Sequence, residues 1–186
     1  KSDTYKNAEN YYKSVFENKG GSISFYPDKN GAVPTAATYH REVTEISVQQ
    51  VKDFCKKHGI TENVFFISVF GLTLGKYNFR RDAVFTTIYH GRNDSRLSET
   101  VGMLVKTLPV FCDFSGTAKD CLSGVQKQLI DSMNNDIYPF SQISHEFSIK
   151  ADAMVIYQGD NFAFDTIGGE YAQEEPISLN AAKAPV

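Results

Sequence analysis

Apolar positions recur along this chain in two rhythms, one of three or four residues and one of two. From Asp3 to about Lys19 the spacing of Tyr5, Ala8, Tyr12 and Val15 or Phe16 puts one apolar face on a helix, which Gly20-Gly21 breaks. Pro27-Asp28-Lys29-Asn30-Gly31 reads as a turn. Residues 35–46, rich in Thr, Val and Tyr with loose alternation, predict a strand. Ser47-Val-Gln-Gln50 is a capping box, in which the Ser hydroxyl and the Gln side chain satisfy two orphan N–H groups reciprocally. The helix it opens buries Val51, Phe54 and Cys55 and stops at Gly59.

Thr61 caps the next helix, Glu62 to about Tyr77. Its run from Val64 to Leu74 is apolar almost all round, the mark of a buried helix. Asp82 to Tyr89 is short, β-branched and aromatic, hence a strand. After the polar loop His90–Thr100 a second strand is expected from about Met103 to Phe111. Thr117-Ala-Lys-Asp120 starts a helix to about Asn134, with Cys121, Val125, Leu129 and Met133 inward. Tyr138-Pro-Phe140 interrupts the chain; Ala153–Tyr157 and Asn161–Thr166 read as further strands. Strands alternating with helices predict an α/β domain, a layered sheet with flanking helices.

Composition narrows the function. The 186 residues are 41% hydrophobic and include 14 Phe and 10 Tyr, enough for a real core and incompatible with wholesale disorder. A net charge of −3 with scattered basic residues gives no footprint for nucleic acid. No stretch approaches the ~18 apolar residues of a membrane span, and the N-terminus has no signal-peptide core. Cys55, Cys112 and Cys121, odd in number and without CxxC spacing, read as reduced thiols of a cytoplasmic protein. The chain lacks an initiator Met and stops in mid-phrase, so an excised segment is expected.

Candidate chemistry is sparse. His40, His58, His90 and His145 show no metal-binding spacing and read as surface or structural residues. His90 is the partial exception, at a strand exit where α/β sheets place ligand contacts. There is no GxSxG elbow, no Walker loop and no GxGxxG turn. Gly71-x-x-x-Gly75 has no following Lys-Ser/Thr, so it reads as close helix packing.

Several phrases, taken in order, carry a resemblance. Val101-Gly-Met-Leu-Val-Lys-Thr-Leu-Pro-Val110 resembles the condensation-domain motif I-G-x-F-V-N-T-L-P-L of nonribosomal peptide synthetases. Asn135-Asp-Ile-Tyr-Pro-Phe-Ser141 resembles the motif that follows it, His/Asn-Q-D-Y-P-F-E. Gly91-Arg92 matches the G-R that closes the preceding strand, and Ile60–Phe65 resembles the start of the family's long buried helix. Lys106, Leu104, Ile137 and Ser141 depart from the usual Asn, Phe, Asp and Glu.

The resemblance implies one lobe of a chloramphenicol-acetyltransferase-like fold: residues 1–186 as a partial condensation domain, its C-terminal lobe truncated at both ends. Two such lobes form a V whose tunnel admits phosphopantetheine arms from two peptidyl carrier proteins. The family's His-His-x-x-x-Asp-Gly motif belongs to the other lobe, and this chain contains no His-His pair. The implied activity is amide formation between carrier-tethered aminoacyl or peptidyl thioesters, as in antibiotic biosynthesis, without metal or soluble cofactor. The isolated piece is expected to be inactive and to expose an apolar face where the missing N-terminal lobe packs. Gly91, Arg92, Gly102, Met103, Lys106 and Tyr138 are the candidates for the tunnel wall or the lobe interface. Arg92 is open between a structural ion pair and a brace for that wall, and Gly102 is expected to permit close backbone approach. Pro109, unable to donate to a ladder, belongs on an edge or where pairing ends. Epimerization, cyclization or O-acyl-transferring relatives of the same fold, and a non-catalytic docking module, stand as alternatives.

Overall fold

The computed structural model describes residues 2–17, 19, 37–92, 94–97, 99–149, 151–159, 166–167 and 170–171. Its elements run α1 (Asp3–Phe16), α2 (Val48–His58), α3 (Glu62–Tyr77), β1 (Asp82–Tyr89), β2 (Lys106–Asp113), α4 (Ala118–Asn134), α5 (Phe140–Phe147), β3 (Met154–Val155), and the short pair β4 (Thr166–Ile167) and β5 (Glu170–Tyr171).

The main sheet has the order β2-β1-β3. β1 and β2 are antiparallel, Asp82 facing Asp113 at one end and Tyr89 facing Lys106 at the other. β3 lies parallel to β1, with Thr86 opposite Met154. The Thr86 and Thr87 hydroxyls strengthen that short pairing by donating to the Ala153 and Val155 carbonyls at 3.2 and 2.9 Å.

Period-two alternation sorts the strands' side chains to two faces. Ala83, Phe85, Val110 and Cys112 meet Val64, Ile67 and Leu74 of α3 and Val125 and Leu129 of α4. Val84 and Phe111 turn the other way, against Ala8, Tyr12 and Phe16 of α1 and Ile143 of α5. With helices on both faces, β1 is buried almost throughout, which explains its unbroken apolar run. Burial of a side chain such as Phe85 contributes about 1.5–3 kcal/mol.

The Gly71/Gly75 pair holds α3 against the sheet. A Cβ on Gly71 would lie 2.7 Å from Cys112 Sγ, and one on Gly75 3.3 Å from the Arg80 and Asp82 carbonyl oxygens. Both capping boxes form as read: Ser47 with Gln50, and Thr117 with Asp120. Gly59 ends α2 in the left-handed conformation, φ +64°. Pro109 sits in edge strand β2 opposite Thr86, where its missing N–H breaks no ladder bond.

The structure corrects five expectations about the elements, the first being Phe54, which was expected to be buried on α2 but is 38% exposed. Residues 37–46 form no strand; Tyr39 is 86% exposed and Val43 also faces solvent, so among the described residues β-propensity found neither a partner strand nor a surface to cover. Residues 35–36, the turn at 27–31 and the break at Gly20-Gly21 lie outside the described residues, as does most of the expected strand 161–166. α3 is not buried all round: Phe66, Val69 and Leu72 on its outer side are exposed. β2 begins three residues later than expected, because β1 ends at Tyr89 and offers nothing to pair before Lys106. Finally, Phe140–Phe147 is a helix that the reading missed, although Phe140, Ile143 and Phe147 recur at helical spacing.

Candidate functional site

The site grows from the exit of β1. Tyr89 is the last paired residue, and the chain then turns sharply through His90, Gly91 and Arg92. Gly91 takes φ +69°, and a Cβ there would lie 2.1 Å from the Leu104 carbonyl oxygen. Only glycine fits both demands. The Arg92 N–H donates to His90 Nδ1 at 3.0 Å, which leaves the imidazole proton of neutral His90 on Nε2.

Arg92 is a loop staple. Its Nη1 donates to the carbonyls of Leu97 (2.8 Å) and Thr100 (2.7 Å), and its Nη2 donates to that of Gly102 (3.1 Å). One fixed guanidinium fork thus closes the connection between β1 and β2. Its partners are backbone oxygens, so the ion-pair reading of Arg92 is replaced. Asp94 and Arg96 pair within the same connection, and the guanidinium holds the Asp94 carboxyl below the ordinary range.

Gly102 does not allow a close approach, since nothing lies within 4 Å of a Cβ placed there; the crowded glycine is Gly91. Beyond it Val101 is fully exposed and Met103 87% exposed, two apolar side chains carried out from the Arg92-stapled loop. Lys106 Nζ pairs with Asp136 Oδ1 at 2.9 Å, tying the start of β2 to the turn after α4. Gly91, Arg92, Gly102, Met103 and Lys106 therefore gather at one end of the sheet.

Tyr138 does not join them on the surface. Its ring is buried between α1 and α5, 6.0 Å from the Tyr12 ring and 5.1 Å from that of Tyr5, and its hydroxyl donates to Glu146. Burial and the neighbouring carboxylate push its pKa up, so the phenol stays neutral in ordinary buffers.

Beside the strand exit lies a groove of about 730 Å³, lined by Lys52 and Cys55 of α2, Glu62 of α3, Ile88, His90 and Tyr157. Tyr157 donates to Glu62 at 2.5 Å across it. Sequence reasoning found only His90 here; Lys52, Glu62 and Tyr157 come from three separate elements with no spacing to signal them. Burial raises the Cys55, Cys112 and Cys121 thiols, which suppresses the thiolate needed for nucleophilic attack. Among the described residues no three His, Cys, Asp or Glu groups converge as a metal site, and no helix is long and apolar enough to cross a membrane. The groove offers a cation, a carboxylate, an imidazole and a phenol, suited to positioning a polar chain.

Comparison with known proteins agrees with this architecture. The Condensation domain family model matches residues 1–182. The nonribosomal peptide synthetase sidC of Arthroderma benhamiae is 27% identical over 185 residues, covering 94% of this chain and 3% of that protein. Bacitracin synthase 1 of Bacillus licheniformis is 26% identical over 121 residues, covering 64% of this chain and 2% of that protein. Among solved structures, the first condensation domain of the calcium-dependent antibiotic synthetase has a TM-score of 0.63 at 15% identity, covering 83% of this chain and 35% of that one. The SgcC5 protein of Streptomyces globisporus has a TM-score of 0.67 at 18% identity, covering 78% and 33%. The chain thus spans a few per cent of these curated relatives and about a third of these solved chains.

Proposed function

The chain belongs to the condensation-domain family, and from that premise we propose that it is the C-terminal-lobe part of an amide-forming acyltransferase. The match over residues 1–182 carries this reading. In the intact enzyme an amine on one carrier-bound aminoacyl group attacks the thioester carbonyl of another. A C–N bond forms, the C–S bond breaks, and the proton lost by nitrogen ends on the departing phosphopantetheine thiol.

In this reading the other lobe supplies the residue that handles that proton, a contribution typically of about 10²- to 10⁴-fold. This lobe contributes walls and alignment. Arg92 holds the β1–β2 connection so that Val101 and Met103 face the other lobe, and Gly91 lets that connection leave the strand without a clash. Lys106, fixed by Asp136, braces the same end. Phosphopantetheine arrives on peptidyl carrier proteins, and the setting is cytoplasmic.

The test is reconstitution. The chain is mixed with a separately produced N-terminal condensation lobe carrying His-His-x-x-x-Asp-Gly and with two loaded carrier proteins, and product is followed by mass spectrometry. Amide product is expected only when both lobes are present. Turnover by this chain alone, or none by the folded pair of lobes, would overturn the assignment.

A further inference from the structure

The turn at the exit of β1 is closed on a titratable ring. Arg92 lies beyond the strand, so no ladder partner takes its N–H. Among the described residues no carbonyl accepts that N–H either, and its acceptor is His90 Nδ1 at 3.0 Å. A histidine nitrogen accepts only while it carries no proton, and in the charged ring both nitrogens are donors. The bond therefore belongs to neutral His90 alone. Histidine is the side chain whose ordinary charge change falls between about pH 5 and 8.

Much depends on where the Arg92 backbone sits. Its guanidinium reaches the carbonyls of Leu97, Thr100 and Gly102 together, at 2.8, 2.7 and 3.1 Å, which requires a planar fork on a fixed stem. Val101 and Met103 stand on the connection that this fork closes. A charged His90 would set one donor against another at the start of that connection, so its ring must swing away. His90 is exposed, with water to receive it and a proton within reach.

Several other groups carry charge or titrate around this ring. Lys52, Cys55 and Lys56 of α2, Glu62 of α3, Tyr89 of β1 and Tyr157 after β3 line the groove beside it. Glu62 accepts from the Tyr157 hydroxyl, Asp94 pairs with Arg96 on the connection, and Lys106, opposite Tyr89, pairs with Asp136. A substitution confined to His90 leaves all of these in place.

We propose that His90 is a proton-sensitive latch on the β1–β2 connection: the neutral ring holds the Arg92 N–H and keeps the Arg92 fork seated, and the charged ring releases both. Acid thus loosens the segment that carries Val101 and Met103 while the sheet stays folded. The latch is a property of this chain's own fold and stands or falls separately from the acyl-transfer reading.

The experiment uses the full chain labelled with ¹⁵N and followed from pH 8 to pH 5. Imidazole nitrogen shifts give the tautomer and the titration of His90, and amide exchange corrected for the intrinsic rate at each pH gives the protection of Arg92. Neutral His90 is expected with its proton on Nε2. Protection of the Arg92 amide should fall about five-fold as His90 charges, the worth of one hydrogen bond, and exchange of the Arg92 guanidinium protons should quicken with the same midpoint. His90→Asn keeps a side-chain acceptor two residues before the amide but does not titrate, so it should hold Arg92 at both ends of the range. His90→Ala should leave Arg92 poorly protected throughout. His40, His58 and His145 remain in both variants, so a general effect of acid would persist in them. A neutral ring protonated on Nδ1, Arg92 protection that ignores the His90 titration, or an undiminished fall in His90→Asn would overturn the proposal. The first two are read on the wild-type chain and decide it even if a variant fails to fold.

Discussion

Gly91 and Leu104 touch backbone to backbone: the space where a Gly91 side chain would begin is taken by the Leu104 carbonyl oxygen, 2.1 Å away. The same residue sits at φ +69°, a region that costs other residues roughly 1–3 kcal/mol. Gly91→Ala should therefore lower stability by at least about 2 kcal/mol in urea melts, since strain and collision add. Gly102→Ala, at an ordinary φ with open space around it, should change stability by less than about 0.5 kcal/mol. Equal costs at the two positions would contradict this account of the turn.

A second contact guards the sheet edge. Gln128 Oε1 of α4 accepts the Phe111 N–H at 3.0 Å, and its Nε2 donates to the Pro109 carbonyl at 3.3 Å. One side-chain amide thus imitates the missing neighbour of β2 and covers groups that would otherwise invite another strand. Gln128→Ala should cost about 1–2 kcal/mol. It should also speed hydrogen exchange at the Phe111 amide, whereas Gln128→Glu, which keeps the acceptor, should protect that amide while still losing the bond to Pro109.

These two contacts show what a sequence conveys and what it withholds. Helix caps were legible because Ser47/Gln50 and Thr117/Asp120 act within one turn. β1 was legible because both its faces are buried. The segment 37–46 misled because strand propensity works only where another strand is available. Met103 and Val105 misled likewise: they alternate as a strand does, but β1 has already ended. Gly91 and Gly102 stand in equally suggestive phrases, and only the backbone angle and the position of Leu104 separate them. The groove at His90 was illegible beyond that residue, because Lys52, Glu62 and Tyr157 meet only after α2, α3 and the segment after β3 are packed.

Alkaline pH should weaken the fold through buried phenols. Tyr11, Tyr12 and Tyr138 all have pKa values raised chiefly by burial. In the unfolded chain each returns to about 10, so that state loses its protons first as pH rises. Their contribution is fully present below pH ~10 and declines above it as the unfolded form ionises. Stability should begin to fall from about pH 8.5, where the three cysteines raised by burial ionise in the unfolded chain, and fall more steeply above about 10 as the phenols follow. Tyr138→Phe should flatten that fall by removing one of the three groups, while also losing the hydrogen bond to Glu146. An unchanged alkaline slope in the variant would show that Tyr138 ionises as freely in the folded chain as in the unfolded one.

The proposed lobe interface makes a prediction of the opposite kind, a large effect on association with little on stability. Met103 and Val101 contribute almost nothing to this chain's own core, so Met103→Asp and Val101→Asp should shift its unfolding by less than about 0.5 kcal/mol. Against a supplied N-terminal lobe the same changes should weaken binding about ten-fold or more, because each places a charge in a surface meant to lose water. Arg92→Lys separates presentation from contact. Lysine cannot reproduce a fork that grips Leu97, Thr100 and Gly102 together, so the loop should loosen and lobe binding fall although Val101 and Met103 are intact. Faster amide exchange at Leu97, Thr100 and Gly102 in that variant would accompany the loss. Undiminished lobe binding by Met103→Asp and Val101→Asp would place the interface elsewhere, with the exposed Phe66–Leu72 side of α3 the next surface to probe.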